Sequence, residues 1–495
     1  MPRAENLRLA APETSRRPSP VVAGAFFLLV AAGWTPSAVF GAPLCAAGAG
    51  DGWCIARRFL GDHPQGQLGF RFGEPLDVDG DGVADLAAGS RSAKDGTHEA
   101  GTAGVWSGAT GAAIRTWKGP PEDSLFGHWV MAVPDLNGDG RADVVIAAPN
   151  ANVGGVMTGM LTARSPATGA ELWRRSGRQG PSQFAWDLAL ASDHSGDGLV
   201  DLFVGEPSEN GGRTHLLNGK DGTRIRTYTP PVRTSSFGWY VARIDDLDGD
   251  AVPDLAVGAP PGYGADDPPN GAAYVFSAAR GTMIRRWEGT QPGFGFGEQV
   301  AALGDLDGDG HGEVVVATPP GSTDQARRLA GEVHVYSGTT GNELRRWHGT
   351  QPGELYGRMV VAAGDVDGDG VDDLAIGAPW HRTELGDRVG RVELRSGRSG
   401  AVLGGIVGDL ADAWFGWHIR RAPDPEGRGR PALLVGAHRR TVGGEWSVGA
   451  VDLLVLRPKG DTRADSETSH RASPAESPTS PQGTSKRGGR RSAIK

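Results

Sequence analysis

The chain has 495 residues, 79 of them Gly and 34 Pro, and a formal net charge of −9. Gly and Pro run at about twice their ordinary combined usage, and they cost about 1 and 3 kcal/mol inside a helix, so a helical bundle or coiled coil is excluded. The Gly is interleaved with short apolar runs and 14 Trp, which excludes wholesale disorder and leaves many short strands joined by tight turns.

Residues 1–20 are polar and include Arg16 and Arg17, and an uncharged apolar run of 12 follows, Val21–Ala32. That run is too short to span a bilayer comfortably and suits the core of a signal peptide, with Val39-Phe40-Gly41 as the small-residue site before Ala42. The expectation is a signal peptide over 1–41 and an extracytoplasmic chain: secreted, periplasmic or cell-surface. An uncleaved anchor is the alternative, and no other segment is apolar enough to span a membrane. A linker over 42–52 comes next. Cys45 and Cys54 are the only cysteines, and they suit one bridge in an oxidising compartment or two unpaired thiols. After Arg457 the chain turns to Ser, Pro, Gly, Thr and Arg, so 458–495 is expected to be a disordered basic tail. Both ends are net basic and the middle holds the acidity, which argues against nucleic acid as a partner.

The middle is a repeat. A string of the form DxDGDGxxDLxxGAP starts at Asp77, Asp135, Asp193, Asp246, Asp305, Asp365 and, in decayed form, Asp424. Two further signals keep its register. Eight residues before each start stands a Gly or Ala, usually after an aromatic: Leu68-Gly69, Phe126-Gly127, Phe184-Ala185, Phe237-Gly238, Phe296-Gly297, Tyr356-Gly357 and Phe415-Gly416. Twelve residues after each start stands Gly89, Ala147, Gly205, Gly258, Ala317, Gly377 or Gly436. Each unit reads as four short strands: one after the aromatic-Gly pair, one after the acidic loop, and two more such as Gly331-EVHVYSG and Glu343-LRRWHG. Four antiparallel strands in each of seven units predict an all-β, seven-bladed β-propeller over 53–457. The last unit lacks a fourth strand, while the segment from Trp53 to Gly61 has the fourth-strand pattern and no unit of its own. This N-terminal strand is therefore predicted to complete the last blade and close the ring.

The acidic loops have the chemistry of a hard cation site. Side chains at loop positions 1, 3 and 5 turn inward, Gly at 6 permits the tight bend, position 7 offers a carbonyl, and a carboxylate at 9 closes the site. Ca²⁺ accepts six to eight such oxygens in loose geometry, whereas Mg²⁺ prefers fewer and more water. Position 12 is apolar and on a strand, which excludes an EF-hand. The candidate ligands are Asp77, Asp79, Asp81 and Asp85; Asp135, Asn137, Asp139 and Asp143; Asp193, Ser195, Asp197 and Asp201; Asp246, Asp248, Asp250 and Asp254; Asp305, Asp307, Asp309 and Glu313; Asp365, Asp367, Asp369 and Asp373. Ser195 is expected to weaken the third loop, and Ala251 to strain the turn of the fourth. The seventh loop reads Asp424, Glu426, Arg428, with Ala432 at position 9, and no metal is expected there. About six structural Ca²⁺ ions, holding loop to strand, are the cofactor expectation.

The aromatic-Gly pair, the acidic loop and the Gly-Ala-Pro element together resemble the FG-GAP repeat, which builds the seven-bladed propeller of integrin α subunits. The resemblance covers 53–457. It implies calcium in the six loops and extracellular binding or adhesion, with a protein or glycan ligand of unknown identity. It does not imply integrin function, because no leg domains or membrane helix follow the propeller. The rival readings are a propeller enzyme, either a hydrolase or a quinoprotein-like oxidoreductase, and a structural envelope component. Neither HExxH nor GxSxG occurs, and His63, His128, His311 and His381 are scattered singly. Thr110-Gly111…Trp117, Thr168-Gly169…Trp173 and Thr340-Gly341…Trp347 faintly resemble quinoprotein docking repeats, but also read as blade packing. Trp129, Trp186, Trp239 and Trp417 suit sugar stacking if exposed and inter-blade filling if buried.

Overall fold

The computed structural model describes residues 52–457 apart from 96–97, 121–124, 178–179, 209–210, 232–235, 262–269, 292–294 and 321–327. The apolar run at 21–32, Cys45 and the tail 458–495 lie outside the described residues. Among the described residues no cysteine is free, and no helix is long and apolar enough to cross a membrane.

The described chain is a ring of seven small antiparallel sheets, a seven-bladed β-propeller. Blades 2 to 6 are four-stranded meanders; blade 5, for example, runs Gln299–Leu303, Glu313–Thr318, Glu332–Tyr336, Glu343–His348. The first strands of successive blades lie side by side around the axis, so each blade runs outward from its first strand. Blade 1 keeps three strands, Leu86–Ser90, Thr102–Trp106 and Ala113–Lys118. Its innermost strand is reduced to two bridges, Phe72 to Ala88 and Leu76 to Asp85, since Gly73 and Pro75 interrupt the ladder there.

Blade 7 closes as predicted. Its sheet has the order Gly52–Leu60, Ala450–Arg457, Ala432–Gly436, Ile419–Ala422, and the first two pair antiparallel over their whole length. The terminal strand also makes the contacts its counterparts make. Arg115, Arg175 and Arg226 of the outer strands of blades 2 to 4's predecessors in the ring each donate to carbonyls in a turn of the next blade: to Pro166 and Ala167, to Gly222 and Asp221, and to Arg280 and Ala279. Arg57 donates in the same way to Ala109 of blade 1 at 2.6 Å. Beside it Arg58 is bound to the buried Asp452 at 2.6 Å and to Asp409 at 2.9 Å.

The register of the two companion motifs has a steric cause. A Cβ placed on Gly89, Gly205, Gly258, Gly377 or Gly436 would come within 2.0–2.2 Å of the carbonyl oxygen of Gly127, Gly238, Gly297, Gly416 or Gly69. In these five units the small residue thus packs on the backbone of the next unit's aromatic-Gly pair, whereas Ala147 and Ala317 hold the position in blades 2 and 5; the aromatics Phe126, Phe184, Phe237, Phe296, Tyr356 and Phe415 are buried. Close backbone approach of this kind has no room for a side chain.

Candidate metal centres

Each inner strand runs from its aromatic-Gly pair into its acidic loop, so all seven loops lie at the same end of the ring. In the first six, the position-1 carboxylate accepts two backbone N–H groups across the turn: Asp77 from Gly80 and Gly82, at 2.7 and 2.9 Å, and Asp305 from Gly308 and Gly310, at 2.7 and 2.9 Å. The position-9 carboxylate is buried in all six. It accepts from the N–H of position 2, as Asp85 does from Val78 at 2.7 Å and Glu313 from Leu306 at 2.6 Å. In blades 1, 3, 4 and 6 its other oxygen accepts from a turn beyond the third strand, as Asp373 does from Gly397 at 2.9 Å. The position-9 residue thus ties loop to blade through hydrogen bonds of its own.

These carboxylates bear the electrostatic mark of crowding. Burial pushes Asp85 and Asp143 up to about 6 and Asp254 and Glu313 up to about 7, with neighbouring loop carboxylates adding to the effect and backbone donors opposing it. Asp201 and Asp373 are raised for the same first reason.

Carboxylate oxygens converge to within 4.8 Å of one another in four loops: Asp77, Asp79 and Asp85; Asp246, Asp248 and Asp250; Asp305, Asp307 and Glu313; Asp365, Asp367 and Asp373. These are the four loops with a carboxylate at every odd ligand position, and all-oxygen donors at that spacing fit a hard divalent cation. The second and third loops form no such group among the described residues. In the second, the Asn137 amide donates to both oxygens of Asp143, at 3.0 and 3.2 Å, so its nitrogen and not its oxygen faces that carboxylate. In the third, the Ser195 hydroxyl donates to Asp193 at 3.2 Å. In the fourth, Ala251 takes φ +66° at the position that elsewhere is Gly, and Arg280 reaches Asp248 at 2.6 Å.

The seventh loop holds a cation of its own. Arg430 reaches Asp424 through two nitrogens, at 2.9 and 2.8 Å, and Glu426 at 2.9 Å. Burial opposes ionisation of Asp424, but these bonds hold its carboxyl down to about 2. Sequence reading stopped at Arg428 and Ala432 and missed Arg430. The available signal was a basic residue at loop position 7, where the other loops carry none but Arg141 and His311.

The tryptophans divide. Trp117, Trp173 and Trp287 donate their indole N–H to Gly169, Gly219 and Gly341 of the next blade, at 3.3, 2.8 and 2.9 Å, which makes them blade-packing residues. Trp129 is 1% exposed. Trp186, Trp239 and Trp417 are half-buried, and none of them is at a loop tip. Each follows the Gly or Ala of its pair, in a belt with Phe70, His128, Glu298 and Arg358 at the same position of the other blades. Around that belt Phe70 meets His128 (5.4 Å), His128 meets Trp186 (4.7 Å), Trp186 meets Trp239 (4.6 Å), Glu298 pairs with Arg358 (3.3 Å), Arg358 covers Trp417 (4.1 Å) and Trp417 returns to Phe70 (5.7 Å). The belt encircles the ring axis at the end away from the acidic loops. It was not visible as a set in the sequence, because its members share a position and no chemistry.

Compared with known proteins, residues 126–162 match the FG-GAP repeat and residues 305–376 the FG-GAP-like repeat. The chain is similar to integrin alpha-V of Gallus gallus, 32% identical over 213 residues, covering 40% of this chain and 20% of the relative. It is similar to integrin alpha-5 of Xenopus laevis, 30% identical over 217 residues, 39% of this chain and 20% of the relative. Integrin alpha-IIb of Homo sapiens is 34% identical over 172 residues, 31% of this chain and 16% of the relative. The chain thus spans about a fifth of the length of the curated relatives it matches.

Proposed function

We propose that this FG-GAP repeat chain, an integrin-like propeller, is a calcium-stabilised adhesion or binding module that acts outside the cytoplasm on a protein or glycan ligand. The similarity to integrin α chains carries the reading. The convergent carboxylates support it on the metal side. Residues at positions 1, 3, 5 and 9 of the first six loops hold the Ca²⁺, with loops 1, 4, 5 and 6 the tighter sites and loops 2 and 3 the weaker. When bound, the ion neutralises the crowded carboxylates and cross-links each turn. The residues themselves hold the turn through backbone hydrogen bonds and anchor it to the blade. Loop 7 takes no metal, because the Arg430 guanidinium already neutralises Asp424 and Glu426.

Binding of the purified chain to arrayed extracellular proteins and glycans, with calcium and with chelator, tests this. Retention of a ligand in calcium and its loss on chelation is expected. Substrate turnover without any retained ligand would overturn the adhesion reading in favour of an enzyme.

A further inference from the structure

The belt does not fill the axis. Behind it the inner strands carry small side chains, among them Gly73, Ala189, Ala242, Ala301 and Ala302, and these leave a central cavity of about 440 Å³. Its end towards the belt is formed by Trp129, Tyr240, Gln299 and Met359. At the other end it shares Glu74 and Arg421 with a cavity of about 850 Å³ that reaches Asp365 and Asp424 of the acidic loops. The walls are mostly apolar, and the charged groups on them are Glu74, Arg243, Arg420 and Arg421. None of the three arginines makes an ion pair with a carboxylate among the described residues. Arg420 lies 5.3 Å from the Trp129 ring and donates only to its neighbour's carbonyl, Ile419 O, at 2.9 Å, and weakly to the Met359 sulfur. Burial is the first cause that lowers its affinity for the proton, while Tyr240, Glu74 and the buried Asp187, which already pairs with Arg71, act the other way from nearby. A concave, largely apolar space of this size with a few convergent polar groups is the usual form of a small-molecule site.

We propose that the central cavity is a binding site for a small organic acid, its apolar body against Trp129, Met359 and the alanine walls and its carboxylate on Arg420, with Arg421 and Arg243 on the approach. The proposal is independent of adhesion: it concerns the axis of the ring and a low-molecular-weight ligand, and it stands or falls whether or not a macromolecular ligand exists.

Calorimetric titration of the calcium-loaded full chain with 1-naphthoate, and with 1-naphthalenemethanol as the uncharged control, tests it. One naphthoate per chain is expected, with the alcohol at least about tenfold weaker because it forms no charge-assisted pair. Arg420→Met, which keeps the apolar stem, should weaken naphthoate to the level of the alcohol. Ala301→Phe should block both ligands by filling the space. Because Arg420→Met also removes a cation from a packed channel, its calcium-dependent melting is compared with the parent. If it does not fold, Ala301→Phe alone decides. Equal binding of acid and alcohol, unchanged binding to either folded variant, or no binding up to about 10 mM would each overturn the proposal.

Discussion

Single residues show where this repeat is under tension. Ala251 adopts φ +66° at loop position 6, which Gly fills in the other five complete loops. A Cβ in the left-handed region costs roughly 1–2 kcal/mol, partly offset by the lower unfolded-state entropy of Ala. Ala251→Gly is therefore expected to raise stability by about 1 kcal/mol, read from urea unfolding at fixed calcium, and a loss of stability would mean that the turn relaxes by other means. Gly258 is the opposite case, since its Cβ would stand 2.1 Å from the Gly297 carbonyl oxygen of the next blade. Gly258→Ala must push two blades apart, and a loss of about 1–3 kcal/mol is expected. A neutral result would show that the blade interface yields.

At the scale of elements, the closing strand and the loops carry separate predictions. The strand Gly52–Leu60 is held by its ladder and by Arg58, whose partner Asp452 is buried. Removing one member of such a pair costs about 3–5 kcal/mol, because the other charge is left buried alone. Arg58→Met should lose about that much in chemical denaturation, and a change below about 0.5 kcal/mol would assign closure to the ladder alone. The loops predict an inversion with pH. Without metal, the position-9 carboxyls of Asp85, Asp143, Asp254 and Glu313 sit at about 6 to 7, above their unfolded values. A raised carboxyl contributes stability that is present below its unfolded pKa and is lost as pH rises through the folded one. The chelated protein should thus melt higher at pH 5 than at pH 8. In calcium the protons compete with the metal, and the trend should flatten or reverse. Parallel trends in the two conditions would mean that these carboxylates do not meet a metal.

For the whole molecule, the ring was legible because three signals shared one register, and each proves to have its own physical cause. The acidic string bends the turn, the small residue admits the neighbouring backbone, and the buried aromatic fills the space between blades. Closure was legible because the segment from Trp53 to Gly61 copies an outer strand down to Arg57. What escaped the sequence was whatever arises between units that differ chemically. The belt joins Phe, His, Trp, Glu and Arg at one position, and the axial cavity follows from alanines that no motif marks. Arg430 escaped because the motif marks carboxylates and not the guanidinium that binds Asp424 and Glu426. Loops 2 and 3 read almost like the rest, yet the donor groups of Asn137 and Ser195 turn them inward on themselves.

Titration of calcium into chelator-treated protein by calorimetry, with thermal unfolding followed on the same samples, tests the structural role of the metal most directly. Four tighter sites and about two weaker ones are expected, with a large rise in melting temperature, since each site contributes about 2.7 kcal/mol at a free concentration a hundred times its Kd. No calcium uptake and an unchanged melting temperature would contradict it and leave the loops as hydrogen-bonded acidic turns.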